Sequence, residues 1–418
     1  MKFSLLILLT TLLLIRPGLL CASPEGTAGP LIGNVTPNSA TVWLFSARDA
    51  RCEAFVSPDP ETLFNTPTPF IHEFGPVDKP AGKFEGTIQF ATLEELAPDT
   101  MYHYGVKVKM DGKTAETLKG SFRTPPLPGT PHKFRMVLTS CMKHGQPQGS
   151  WNLVRSEKPH LHLTVGDTQY SDSTDPSVQW KHHLRYRRVP EFAAVIRNIP
   201  TLAMWDDHDY GPNNSDGTAA GKERSLAGWK QFWANPAAGT DRTPGAFFRF
   251  NWGEIDFFVV DGRYHRSPDN APDDAEKRML GDAQFNWLLE GLKASKAKFK
   301  VIASGSTLNH SKSDGWRIYT FARHRLFDAI RTNRINGVVY MSGDIHNSLV
   351  WQHPESDRVG YPLVEIISSG VANSKNLSFA AIDFDTTAND PSMRVRIIMG
   401  NRSTPVDRTW KLSQISHR

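Results

Sequence analysis

Cysteine is scarce in this sequence, with three in 418 residues. Cys21 belongs to an N-terminal leader, so Cys52 and Cys141 are the thiols left to the folded protein. Two thiols cannot build the dense disulfide framework of a small secreted domain, although one Cys52–Cys141 bridge stays open in an oxidising compartment. Low-complexity segments and internal repeats are missing too, which excludes a disordered chain and a solenoid. Beyond the leader no apolar run is long enough to cross a bilayer. Charge of one sign is also in short supply. The formal net charge is +5 and the basic residues are scattered, so no stripe for nucleic acid is present.

The leader itself has a recognisable form. Met1-Lys2 gives a positive start, Phe3 to Ile15 is almost wholly apolar, and Leu20-Cys21-Ala22-Ser23 offers small residues for cleavage. Residues 1–22 are therefore expected to be a signal peptide, too short for a spanning helix, which implies a secreted or periplasmic protein. Lipidation at Cys21 is the weaker alternative, because Leu20 before it is not small.

The remaining length suits two domains. Residues 25–126 carry strand signals, among them Ala40 to Phe45 and the alternating run Tyr102 to Val108, separated by Gly, Pro, Asn and Asp. Leu93 to Tyr102 resembles the tyrosine corner of a sandwich domain, so a small all-β fibronectin type III-like domain is expected there. Pro125 to Gly129 reads as a stiff linker. From residue 131 to 418 apolar strand-like runs alternate with helical stretches, Glu223 to Trp233, Leu280 to Leu292 and Phe321 to Ile330, which argues for a layered α/β domain.

The strand-like runs end in small and polar residues. Their ends are Ser140-Cys141, Gly166-Asp167-Thr168-Gln169-Tyr170, Asp206-Asp207-His208, Asp261-Gly262-Arg263, Ser304-Gly305-Ser306 and Ser342-Gly343-Asp344-Ile345-His346. Ligand sites in layered α/β folds form at the carboxyl ends of strands. The donors Cys141, Asp167, Tyr170, Asp207, an Asn near 213, Asp344 and His346 mix hard oxygens with a thiolate, a phenolate and an imidazole. Thiolate and phenolate suit oxidised iron, whereas carboxylate and amide oxygens suit calcium, magnesium or manganese. A carboxylate with two oxygens, as at Asp167, can bridge two ions that clamp a phosphoryl group.

In combination, Gly166-Asp167-x-x-Tyr170, Trp205-Asp206-Asp207-His208-Asp209 and Gly343-Asp344-x-His346 resemble the alkaline phosphatase D (PhoD-like) family, with Ser140-Cys141 upstream. The resemblance implies a four-layer αββα metallophosphoesterase sandwich and a phosphoric ester hydrolase. It implies ferric iron at Cys141 and Tyr170, with Asp167 bridging to calcium, and Zn2+, Mn2+ or Mg2+ as alternative ions. Asp207, Asp344 and His346 would be further metal ligands. Asn213 would complete the calcium side, with Asn214 as its neighbouring candidate. By the same resemblance His208 donates a proton or contacts phosphate, and Arg263 of the Asp-x-Arg motif steadies phosphoryl oxygens. The leader lacks the twin arginine that many members carry.

Plainer readings stand beside these. Asp206 reads as a cap or supporting acid, Asp209 as a residue that orients His208 or caps the next turn, and His144, His182, His183 and His310 as surface histidines. Within enzymes the alternative is a purple-acid-like phosphomonoesterase with two transition metals. From another class, it is a non-catalytic secreted binding protein with a structural metal site, its β domain carrying the function. A monomer acting on a phosphate ester is expected.

Overall fold

The computed structural model describes residues 26–46, 50–65, 71–73, 75–76, 86–310 and 314–418. The expected signal peptide lies outside the described residues. Among them, no helix is long and apolar enough to cross a membrane.

The N-terminal part is all β, in two four-stranded antiparallel sheets. One runs Thr27–Gly33, Ala40–Ser46, Thr87–Leu93, Gly75–Pro76, and the other Ile71–Glu73, Arg51–Ser57, Met101–Met110, Lys113–Arg123. Val42, Leu44, Ala54, Val106 and Val108 fill the space between them. The Tyr102 hydroxyl accepts the Ala97 N–H at 2.9 Å, as a tyrosine corner requires. Cys52 is buried in this core and Cys141 is buried elsewhere, both as free thiols, so the disulfide reading is overturned.

The outer face of the first sheet packs on the rest of the chain. Trp43 donates its indole N–H to the Gln231 carbonyl at 2.9 Å, and the Arg187 guanidinium lies between the Trp43 and Trp233 rings at 4.5 and 4.6 Å. Stacked, desolvated guanidinium contacts of this kind contribute on the order of 2 kcal/mol. The β layer is thereby fixed against the helices behind the site.

Residues 133–411 form two six-stranded mixed sheets. The first is ordered Thr201–Met204, Leu161–Val165, Lys133–Thr139, Ser378–Asp385, Ser392–Met399, Val406–Lys411, and the second Phe248–Trp252, Ile255–Val259, Phe299–Ala303, Val338–Ser342, Val364–Ile367, Leu349–Gln352. Their inner faces meet through aromatic contacts, Phe134 against Phe257 and Phe299 against Phe384. Helices flank the pair, including Pro176–Arg187 and Lys222–Phe232 on one side and Asp282–Ala294 and Thr320–Thr332 on the other. The layering is αββα.

The parallel strands Leu161–Val165, Thr201–Met204, Phe299–Ala303 and Val338–Ser342 are buried along their whole length, as parallel strands covered on both faces must be. Register then sets the site. Thr139 pairs with Thr164, Val165 with Met204, Val259 with Ala303, and Ala303 with Met341, all in parallel. The six polar strand ends therefore emerge side by side at one rim.

Candidate functional site

The loops that leave this rim are strained. Cys141, Asp167, Tyr170, Asp344 and His346 all have positive φ, between 42° and 75°. Each such residue costs on the order of 1–3 kcal/mol, and strain of this kind collects where geometry serves a function. Close backbone approach also needs glycine. A Cβ on Gly166, at φ +89°, would collide with Asp206, and one on Gly343 with Ser140.

The result is two groups of donors that share one residue. Cys141, Asp167 and His346 form one, and Asp167, Asp207 and His208 the other. Within each group the donor atoms lie within 4.8 Å of one another. Tyr170 joins the first group, its hydroxyl 3.2 Å from Asp167 Oδ2 and 3.1 Å from His346 Nε2. Cys141 Sγ is 3.2 Å from the same Asp167 oxygen. Two buried oxygens, Asp167 Oδ1 and Asp207 Oδ1, have no hydrogen-bond partner, and of the two it is Asp207 Oδ1 that has a cation nearby, Arg263 Nη2 at 3.7 Å. A buried carboxylate left that way is costly unless something positive meets it. The donor set therefore fits two cations bridged by Asp167, and soft sulfur beside phenolate distinguishes the first position from the oxygen-rich second.

The electrostatics agree. Burial, with Cys141, Asp207, Asp206 and Asp209 around it, pushes Asp167 well above the usual carboxylate range. Burial, together with Asp314, Asp206 and Asp207, does the same to Asp344. Burial raises the Cys141 thiol and the Tyr170 phenol as well. Burial, aided by the charges of His208 and Lys143, lowers His346, which keeps its ring neutral and able to ligate. Asp207 differs. Burial acts to raise it, but Arg263, His208 and two backbone N–H groups overcome that and hold it down at about 2.

Several expectations change. Arg263 does not face the rim. Its side chain is fully buried, with Nε 2.5 Å from Asp206, Nη2 2.8 Å from Asp314 and 3.7 Å from Asp207. A guanidinium so enclosed cannot also hold phosphoryl oxygens, so it serves as the counter-ion behind Asp207. Asn213 and Asn214 are both exposed on their turn. The residue that reaches Asp207 is Asn214, through its backbone N–H at 2.8 Å. Asp344 stands outside both donor groups, its backbone carbonyl 3.6 Å from Cys141 Sγ. Asp206 keeps its expected part, as the N-cap residue of a short helix and a supporting acid. Asp209 accepts from Thr168 N and Oγ1 at 2.8 and 2.7 Å and from Asp206 N at 3.1 Å, and so braces the loop instead of orienting His208. His310 lies against Trp351. His183 is buried beside Arg187, contrary to the surface reading.

The structure adds residues with no sequence motif. Asp172 Oδ1 meets His208 Nδ1 at 2.6 Å. Asn373 donates to the Tyr170 hydroxyl at 2.7 Å and touches His346 Nε2 at 3.0 Å, and the Ser369 hydroxyl lies 3.1 Å from Cys141 Sγ. Asn373 and Ser369 sit in a loop far along the chain, where the sequence offers only serines and asparagines.

Known proteins share this architecture. The PhoD-like phosphatase family model matches residues 136–397. A curated relative, the alkaline phosphatase D of Bacillus subtilis (strain 168), is 23% identical over 308 residues, 60% of this chain. The match spans only about half of that relative, 52% of its length. A solved structure of PhoD superposes with a TM-score of 0.71 at 16% identity, covering 94% of this chain and 93% of its own. Purple acid phosphatase PPD1 from yellow lupin (Lupinus luteus) seeds superposes at 0.69 and 13% identity, covering 93% and 75%. At such identities these two likenesses establish the fold.

Proposed function

The chain belongs to the PhoD-like phosphatase family, and from that premise we propose that it is a secreted, metal-dependent phosphoric ester hydrolase with an iron–calcium centre. The carrying observation is the pair of donor groups joined at Asp167 on the strand-end rim. Cys141, Tyr170, Asp167 and His346 would hold the iron, and Asp167 and Asp207 the calcium, with Asp344 and the Asn213–Asn214 turn beside them. Such a pair supplies Lewis acidity to the phosphoryl oxygens and an activated water.

The chain's own residues do the rest. Asp172 accepts a hydrogen bond from His208 Nδ1–H and would steady the imidazolium form, whose Nε2 proton passes to the departing ester oxygen and leaves the ring neutral. Arg263, locked among Asp206, Asp207 and Asp314, keeps Asp207 ionised and fixed in place. Asn373 donates to the Tyr170 oxygen and steadies the phenol as a ligand.

Two experiments test this reading. Asp172→Asn is expected to lower kcat about 10–100-fold, the usual effect of losing an orienting partner, with metal content and KM nearly unchanged. An unaltered kcat would remove Asp172 from the mechanism. For the activity itself, nitrophenol release is measured from bis(4-nitrophenyl) phosphate and 4-nitrophenyl phosphate at alkaline pH, before and after calcium chelation. Turnover that stops on chelation and returns with calcium is the expected result. Turnover indifferent to calcium points to a two-transition-metal phosphatase, and no turnover with metals restored points to a binding protein.

A further inference from the structure

With Arg263 assigned to the interior, we propose that Lys143 contacts the phosphoryl group and favours monoesters over diesters. This rests on the phosphoesterase reading above. Lys143 lies two residues after Cys141, and its backbone is held on both sides. Its N–H donates to the Ala372 carbonyl at 3.0 Å, and its own carbonyl accepts from Gln146 N at 3.1 Å and Gln148 Nε2 at 3.2 Å. The preceding residue, Met142, donates to the Asp167 carbonyl at 2.9 Å. The root of the side chain is thus tied to the loops that carry the donor groups.

The side chain itself is uncommitted. Lys143 is exposed, and among the described residues no carboxylate pairs with it. Its Nζ lies 5.6 Å from the centroid of the Tyr170 ring. That ring is also packed against His208, centroid to centroid at 4.4 Å, and its hydroxyl touches Asp167 and His346. An ammonium on a flexible four-carbon stem can swing past the ring edge to an oxyanion held at the donor groups. Arg263 cannot do so from among three carboxylates.

Charge gives the selectivity. At alkaline pH a phosphate monoester carries two negative charges and a diester one. A point charge gains more from the dianion than from the monoanion. No bond to the Lys143 nitrogen forms or breaks in this contact.

The test uses the full metal-loaded chain, with Lys143→Met to delete the charge at similar length and Lys143→Arg to keep it. Inorganic phosphate affinity is measured by calorimetry, and kcat/KM on 4-nitrophenyl phosphate and bis(4-nitrophenyl) phosphate. Lys143→Met is expected to weaken phosphate binding about tenfold and lower kcat/KM on the monoester about tenfold, but on the diester less than about threefold. Lys143→Arg should restore most of the loss, and metal content should not change in either variant. Equal losses on both esters, or unchanged phosphate affinity, overturn the proposal. A wild-type chain that hydrolyses neither ester ends the reading on which this rests, while phosphate affinity still decides the contact itself.

Discussion

Asp167→Asn is expected to abolish ester hydrolysis while making the metal-free chain more stable. The two effects have one cause. Asp167 is the residue shared by both donor groups, and without a cation its charge is buried against Cys141, Asp207, Asp206 and Asp209. An amide of the same shape removes that repulsion and still accepts from the Tyr170 hydroxyl, 3.2 Å from the carboxylate now. Turnover should fall on the order of a thousandfold, as when a principal transition-state support is lost, and metal content should drop with it. Relief of about 1 kcal/mol would raise the metal-free melting temperature by about 1 °C in a chain of this length.

The sign with pH can be stated. The folded pKa of Asp167 lies above its unfolded value, so the group's contribution to stability is present below the ordinary aspartate pKa and is lost as pH rises through the raised one. The gain from Asn is therefore largest at alkaline pH and vanishes below about pH 4. Calorimetric melts of apo wild type and variant at several pH values, with turnover assays alongside, check both halves. Retained turnover would sink the shared-ligand reading, and a variant melting below wild type at alkaline pH would sink its electrostatic basis.

Arg263→Met should act in the opposite way, with loss of the fold as its first consequence. Burial acts to lower the Arg263 pKa, but Asp206, Asp207 and Asp314 together hold it well above its ordinary value, so the charge is permanent. Removing it leaves three buried or nearly buried carboxylates without their counter-ion. Breaking a buried ionic network from one side costs about 3–5 kcal/mol. Lysine should not rescue it, since a single ammonium cannot replace Nε on Asp206 and Nη2 on Asp314 at once. Urea unfolding measures the loss. Had Arg263 been a substrate contact, stability would survive and only KM would rise, and that outcome would return it to the rim.

How much of this was legible in the sequence depends on the range of each signal. The six strand runs and three helices were visible because period-two, continuous-apolar and helical patterns are local. Cys141, Asp167, Tyr170, Asp207, His208 and His346 were visible because each comes after a strand in a short motif, and strand ends in parallel sheets converge. Asp172 lay five residues beyond Asp167 and could have been noticed as a partner for His208, but spacing alone did not single it out from other loop acids.

Other assignments had no local signature. Asp-x-Arg at residues 261–263 says that an arginine comes after a strand, and does not say which way its guanidinium points. That direction was decided by Asp206 and Asp314, more than fifty residues away on either side, which enclose it more tightly than solvent can. Asn373 and Ser369 reach Tyr170 and Cys141 across more than two hundred residues. Sequence alone determined the layered fold, the rim where strands end and most of the candidate donors, because hydrophobic periodicity and motif order are written along the chain. Tertiary structure decided which charges are buried together and that the Arg263 cation lies among carboxylates in the interior, because those depend on enclosure and distance between segments that the sequence keeps apart.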